Sequence, residues 1–250
     1  MTDPSTELAA LRVEIAEACR VLAARGLADG FLGHISLRVD ERRLLIRCRG
    51  PEERGLAWTT ARDIRLVTVD GEPGAAGELD GRRPPNELPL HTEVLTTRPD
   101  LGSVVHAHPE AVVTADLAGL PIRPIVGAFD IPGATLAAGG VPVYPRGVLI
   151  RDRRLAAEMV LAMADRPVVV LRGHGLTSGG ADVPEAVLRA VSVDRIARMS
   201  LAVRAAGGEP RDLPAEDLAE LPDLGPAFNR DVAWRHELAR LRATKENTPE

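Results

Sequence analysis

Apolar residues at Leu8, Leu11, Ile15, Cys19 and Leu22 recur at three- and four-residue intervals and predict an amphipathic helix from about Leu8 to Arg25. Gly26 and Gly30 end it. Ile35 to Val39 and Leu44 to Ile46 flank the charged turn Asp40 to Arg43 and read as strands. Leu66 to Val69 is a third, closed by Asp70-Gly71, and the Gly- and Pro-rich stretch Gly71 to Pro85 reads as a loop. A helix is predicted from near Asn86 to Thr97, stopped by Pro99-Asp100. Ser103 to His108 is a buried strand, with a helix after Pro109. Val141 to Tyr144 and Val168 to Leu171 are further strands, on either side of a helix over Arg153 to Ala164. Asp182 and Glu185 have capping-box spacing ahead of a long helix reaching about Ala206, ended by Gly207-Gly208. A Pro-rich stretch leads to a last helix, about Phe228 to Leu241. Strands and helices alternate loosely, which places the chain in the α/β or α+β class with a central sheet under helices.

At 250 residues and 45% hydrophobic, the chain has length for one sizeable core. The expectation is a single domain over 1–250 with a helical extension over about 210–250. No apolar run approaches the length of a membrane span. The start, Met1 to Glu7, is acidic where a secretory signal is basic and then apolar, so a cytoplasmic, soluble protein is expected. Cys19 and Cys48 are too few and too far apart for a disulfide scaffold or a zinc ribbon. A net charge of -5 with 2% aromatics argues against nucleic-acid binding, which needs a basic face and stacking rings. The Arg151 to Arg154 patch has acidic neighbours and reads as a solvated helix start.

Candidate chemistry concentrates in the six histidines. His106-Ala107-His108 ends a strand, where side chains at i and i+2 leave the same face, as a chelate requires. The alternative is two histidines hydrogen-bonded in a loop. His174 follows the apolar strand Val168 to Leu171 within Arg172-Gly173-His174-Gly175, where glycines permit a sharp turn and a close approach. Three imidazoles on one side of an ion leave positions open for water or substrate, the pattern of a catalytic site. Glu87 and His91 share a face of the predicted helix at i and i+4. A carboxylate there would serve as ligand, acid or base; the alternative is a solvated pair.

Three segments resemble the class II aldolase and adducin family: Gly33-His34-Ile35-Ser36; Asn86-Glu87 through His91 to Arg98-Pro99-Asp100 and Val104 to His108; and Arg172 to Leu176. The similarity spans roughly Leu8 to Ala206. It implies a three-layer α/β/α sandwich around a mostly antiparallel sheet. It implies His106, His108 and His174 as ligands of one divalent ion per subunit, zinc, manganese or iron, and Glu87 as the catalytic acid/base. It also implies a cyclic homotetramer with active sites between subunits. His91 is not among the shared ligands and reads as supporting them or the fold.

The chain departs from the sugar-phosphate aldolases of that family where they grip phosphate. Their Gly-Asn-x-Ser turn is here Gly33-His34-Ile35-Ser36, their Thr-Gly turn is Arg47 to Glu52, and their Ser-Ser pair is Pro85-Asn86. A planar guanidinium suits a carboxylate, which it holds with two parallel hydrogen bonds. His34, Ser36, Arg47, Arg49 and Asn86 are therefore the candidate substrate-binding residues; an outward-facing surface strand is the alternative for the two arginines. By spacing from Tyr144, the chain's only tyrosine, the position that supplies a proton-donating tyrosine in some aldolases falls near Phe129. These departures resemble the branch that decarboxylates aromatic or heteroaromatic dicarboxylates of the dihydroxyphthalate type. The expected function is a metal-dependent carbon–carbon lyase acting on a small carboxylate. Aldol cleavage of a short sugar phosphate, an adducin-like assembly module and an iron dioxygenase are the alternatives. The stretch around Trp234, Arg235 and His236 is either a lid over a neighbouring site or, the reading preferred here, a helix packed on the core.

Overall fold

The computed structural model describes residues 4–28 and 30–246. The first helix, α1 (Pro4–Ala24), begins four residues earlier than its apolar stripe predicts. It buries Ile15, Cys19 and Leu22 completely, each Ile or Leu contributing about 2 kcal/mol. Strands β1 (His34–Arg38) and β2 (Arg43–Arg47) form a hairpin. Asp40 makes its turn by accepting the Arg42 and Arg43 N–H groups at 2.9 and 2.8 Å. Then come β3 (Ile64–Thr68), α2 (Leu88–Thr97), β4 (Ser103–Ala107), α3 (Glu110–Leu117), α4 (Ile131–Ala137), β5 (Val143–Tyr144), α5 (Arg153–Met163), β6 (Val168–Leu171) and β7 (Gly175–Gly180). The chain continues through α6 (Val183–Ala205) and α7 (Ala215–Glu220). A π-helical stretch, Ala227–Val232, runs into α8 (Ala233–Glu246). Among the described residues no helix is long and apolar enough to cross a membrane.

The strands form one sheet in the order β3-β2-β1-β4-β7-β6-β5. Every pairing is antiparallel except β5 with β6, so the sheet is mixed. Alternation along the strands sends side chains to two separate cores. Ile35, Leu45, Val105 and Leu176 face α1, α3 and α6. Leu44, Ile46, Val104 and Val169 face α2 and α5. The result is the three-layer arrangement anticipated from the resemblance.

Several expectations need correction. Strand β7, in the middle of the sheet, and helices α4 and α7 carry no clear pattern in sequence. Helix α2 starts at Leu88, so Glu87 is its N-cap rather than its first turn. Strand β4 stops at Ala107, leaving His108 just beyond it with its N–H donated to the Leu27 carbonyl at 3.0 Å. At α6, Asp182 caps the Glu185 N–H at 2.9 Å, but Glu185 reaches back to the Ala181 N–H (2.6 Å) instead of closing a capping box. Helix α8 packs Trp234, Leu238 and Leu241 on the α1 side of the core. Its buried Glu237 accepts from Arg25 Nε at 2.6 Å, while Arg235 and His236 are exposed. The packed-helix reading of this stretch describes what is seen.

Candidate metal centre and its surroundings

The site lies on the α2 side of the sheet, where β1, β4 and β7 adjoin. His34 and His106 are direct register partners across β1 and β4, and both are buried. His108 follows one residue after the strand. His174 stands in the tight turn between β6 and β7, whose N–H returns to the Leu171 carbonyl at 3.0 Å. Gly173 allows that turn with φ +59°, a left-handed conformation that costs glycine little. Asp116 of α3 pins it by accepting the Gly173 N–H at 2.8 Å and Arg172 Nε at 3.2 Å. Glu87 enters from the N-cap of α2. That helix is fastened to the sheet by Arg38, whose guanidinium donates to the carbonyls of Leu95, Arg98 and Leu101 around the helix C-terminus.

These elements bring one ligand atom each from Glu87, His106, His108 and His174 within 4.8 Å of one another. His106 Nε2 is 2.9 Å from His108 Nε2 and 3.2 Å from Glu87 Oε2; His174 Nε2 is 3.8 Å from the same oxygen. His106 Nδ1 lies 3.1 Å from the Leu176 carbonyl, so that nitrogen carries the proton and Nε2 is turned to the cluster. A single proton satisfies at most two of these converging ligand atoms, whereas a divalent cation satisfies all of them. The donor set therefore fits a metal ion: three imidazoles and a carboxylate, the ligand types of zinc and similar ions.

Electrostatics agree with that fit. Burial, reinforced by neighbouring imidazoles, holds His108 at about 3 and pushes His174 down. Both imidazoles are therefore neutral and able to coordinate near pH 7. Burial alone would raise Glu87; without an ion, its hydrogen bond with His106, the fields of His106 and His174 and the Ile150 N–H outweigh this and bring it to about 2, and a bound cation would take over the part played by the imidazole protons. The Ile150 N–H fixes Oε1 at 3.1 Å, leaving Oε2 for the cluster.

The other candidates fall in different places. His34 Nδ1 meets His91 Nε2 at 2.6 Å, and His91 Nδ1 meets Ser36 Oγ at 2.7 Å. His91 thus touches the centre only through His34. Arg47 is 3% exposed, and strand alternation turns it to the α1 face. There its guanidinium is taken by Thr59 Oγ1 (3.0 Å), the Gly33 carbonyl and Glu53. Arg49 is half-buried over the Phe31 ring, 5.5 Å from its centroid, and its buried Nε has no hydrogen-bond partner. Its charge reaches His34 and His108 and helps keep both neutral. Asn86 is exposed, as is Phe129 (69%), and the Tyr144 hydroxyl is held by Glu158 at 3.0 Å. Two supporting groups had no sequence signal: Asp116, and the backbone N–H of Ile150.

The family model for the class II aldolase and adducin N-terminal domain matches residues 13–201. The chain belongs to this family. Two relatives are similar over nearly their whole length. One is a 3,4-dihydroxyphthalate decarboxylase of Terrabacter sp. (strain DBF63), 75% identical over 93% of this chain and 98% of the relative. The other is a 3,4-dihydroxyphthalate decarboxylase of Arthrobacter keyseri, 69% identical over 94% of this chain and 95% of the relative. Among solved structures, the L-fuculose 1-phosphate aldolase from Glaciozyma antarctica PI12 superposes with a TM-score of 0.76. It is 19% identical, covering 98% of this chain and 94% of that one, a likeness of fold alone.

Proposed function

We propose that this chain is a metal-dependent lyase that decarboxylates a hydroxylated aromatic dicarboxylate of the 3,4-dihydroxyphthalate type. The observation that carries this reading is the near-full-length identity of 75% to a protein of that name. The site supplies matching chemistry. Loss of carbon dioxide from a ring leaves an electron pair on carbon, which one proton must replace. A divalent ion, zinc, manganese or iron, held by His106, His108 and His174 supplies positive charge where that negative charge develops.

Glu87 is ionised near neutral pH, with Oε1 held by Ile150, so Oε2 is the atom that handles the proton. It takes the proton of the hydroxyl beside the departing carboxylate and returns it to the ring carbon as the carbon–carbon bond electrons stay on the ring; the phenolate left on the product then takes one proton from solvent, the proton that the overall reaction consumes. Arg49, at the rim with a guanidinium whose Nε has no hydrogen-bond partner, grips the carboxylate that stays; Arg47 serves the fold. Exposed Phe31 (54%) and Trp58 (58%) beside that rim offer apolar surface for a subunit contact, consistent with the homotetramer, with sites between subunits, that the family resemblance implies.

The test is incubation of the purified, metal-loaded protein with 3,4-dihydroxyphthalate, following carbon dioxide and the dihydroxybenzoate product. Release of both is expected, abolished by chelation. Turnover of fuculose- or ribulose-type phosphates with no action on aromatic acids would replace this reading with aldol cleavage. Light scattering reports the assembly, and elemental analysis the ion.

A further inference from the structure

Both ring nitrogens of His91 are engaged, Nε2 by His34 Nδ1 and Nδ1 by Ser36 Oγ. A neutral imidazole donates at one nitrogen and accepts at the other, so the chain of bonds has a direction. Either Ser36 donates to His91, His91 donates to His34, and His34 carries its proton on Nε2; or every bond runs the other way and His34 Nε2 is bare. Ser36 discriminates between the two. It is fully buried, and its hydroxyl has no other hydrogen-bond partner among the described residues. In the second arrangement its O–H hydrogen would be a buried donor without an acceptor. That penalty favours the first arrangement roughly tenfold or more.

His106 is held in the opposite sense. Its Nδ1 donates to Leu176, which turns Nε2 to the ligand cluster. The two rings face each other across the β1–β4 register with centroids 5.0 Å apart. One is arranged to coordinate and the other to donate.

We propose that Ser36 and His91 lock His34 as the Nε2–H tautomer, which makes His34 a hydrogen-bond donor to an anionic oxygen of the substrate rather than a fourth imidazole ligand. The identity of that oxygen, a carboxylate or phenolate, rests on the decarboxylase reading; the tautomer does not. The chain is not a proton supply. Passing a net proton from His34 to substrate and refilling it from His91 and Ser36 would strand a buried serine alkoxide. Ser36 and His91 are therefore positioning residues.

The experiment is nitrogen–proton correlation spectroscopy of the full-length, zinc-loaded protein labelled with ¹⁵N-histidine, with His34 assigned by the signals lost in His34→Gln. A proton on His34 Nε2 is expected. In Ser36→Ala the spectrum should shift toward the Nδ1–H form, and KM for 3,4-dihydroxyphthalate should rise about tenfold with kcat little changed; Ser36→Thr, which keeps the hydroxyl, should restore both. A bare or zinc-bound His34 Nε2 in the wild type overturns the proposal, as does a Ser36→Ala protein with unaltered tautomer and KM. Should Ser36→Ala fail to fold, the wild-type spectrum still decides. A wild type with the expected tautomer but no decarboxylation would refute the functional reading and leave the lock standing.

Discussion

Replacing Gly175 by alanine should dismantle the candidate metal centre without touching any of its four converging side chains. Gly175 opens β7 directly after His174. An added Cβ would lie 2.2 Å from the Ala107 carbonyl oxygen and 3.0 and 3.1 Å from His108 Cδ2 and Cα. Two of these three atoms are backbone, so no rotamer change relieves the overlap. Strands β4 and β7 would have to part by about 0.8 Å merely to reach the 3.0 Å that real Cβ atoms keep. That movement displaces His108 and His174 against His106 and Glu87. Overpacking of this kind costs about 1–3 kcal/mol, or roughly 2–12 °C in Tm for a chain of this size. Metal sites tolerate only about 0.2 Å in ligand distance, so affinity should fall far more than stability, on the order of 100-fold. Gly179→Ala is the control. The three atoms nearest its Cβ would all belong to the Leu101 side chain, at 2.5 to 3.2 Å, rather than to backbone or a histidine, and it lies four residues along β7 opposite Val104. Calorimetric zinc titration and urea unfolding of both variants are the assays. Wild-type zinc affinity in Gly175→Ala, or equal loss in Gly179→Ala, would refute the reasoning.

Glu87→Gln keeps shape but removes the charge and the proton carrier: metal retained by elemental analysis and turnover reduced by about 10²–10⁴-fold are expected, and near-normal turnover would exclude Glu87 from proton handling. Arg47→Ala should lower stability by about 2–4 kcal/mol because it strips buried partners. Arg49→Ala should change stability by under about 0.5 kcal/mol yet lower kcat/KM for a dicarboxylate tenfold or more, and the reverse pattern would exchange their roles. Burial, helped by His106, holds His91 at about 3 against an ordinary 6.5, so the unfolded chain protonates first as pH falls. Its contribution is whole above pH 6.5 and is lost through the window from 6.5 to 3 at about 1.4 kcal/mol per unit; the metal-free urea midpoint should fall less steeply with acid in His91→Gln than in wild type.

What the sequence disclosed depended on how much of each element's physics is carried by side chains. Helix α1 and strand β6 announce themselves through apolar spacing, and α6 through its Asp182 cap. The convergence of His106, His108 and His174 was anticipated from strand geometry and flanking glycines, and that of Glu87 from the family resemblance, though Glu87 sits at a helix cap and His108 beyond a strand end. Strand β7 was hidden because Gly-Leu-Thr-Ser-Gly-Gly has almost no side-chain pattern. Its glycines are there for proximity: a Cβ on Gly180 would stand 2.4 Å from the Ala186 N, as on Gly175 it would meet Ala107. Arg47 and Arg49 look alike in sequence, but Arg47 is the last residue of β2 and is taken up by Thr59 and Glu53, whereas Arg49 lies past the strand end over Phe31.

That contrast bears on why one scaffold accommodates both decarboxylation and aldol cleavage. Each reaction develops negative charge next to an oxygen that a cation can hold, so the His106–His108–His174 cluster and Glu87 suit either. Specificity must then come from the groups that grip the rest of the substrate. The groups proposed here for that grip are His34, set at the level of His106 by strand register, and Arg49, set by the paired N–H···O bonds between Arg49 and Arg83 at 2.9 Å. Both are fixed by backbone geometry, and neither is a ligand in the cluster. Substitution at these two positions should therefore alter the choice of substrate while leaving all four converging side chains in place, which is the expected consequence of separating the anion grip from the charge-stabilising centre.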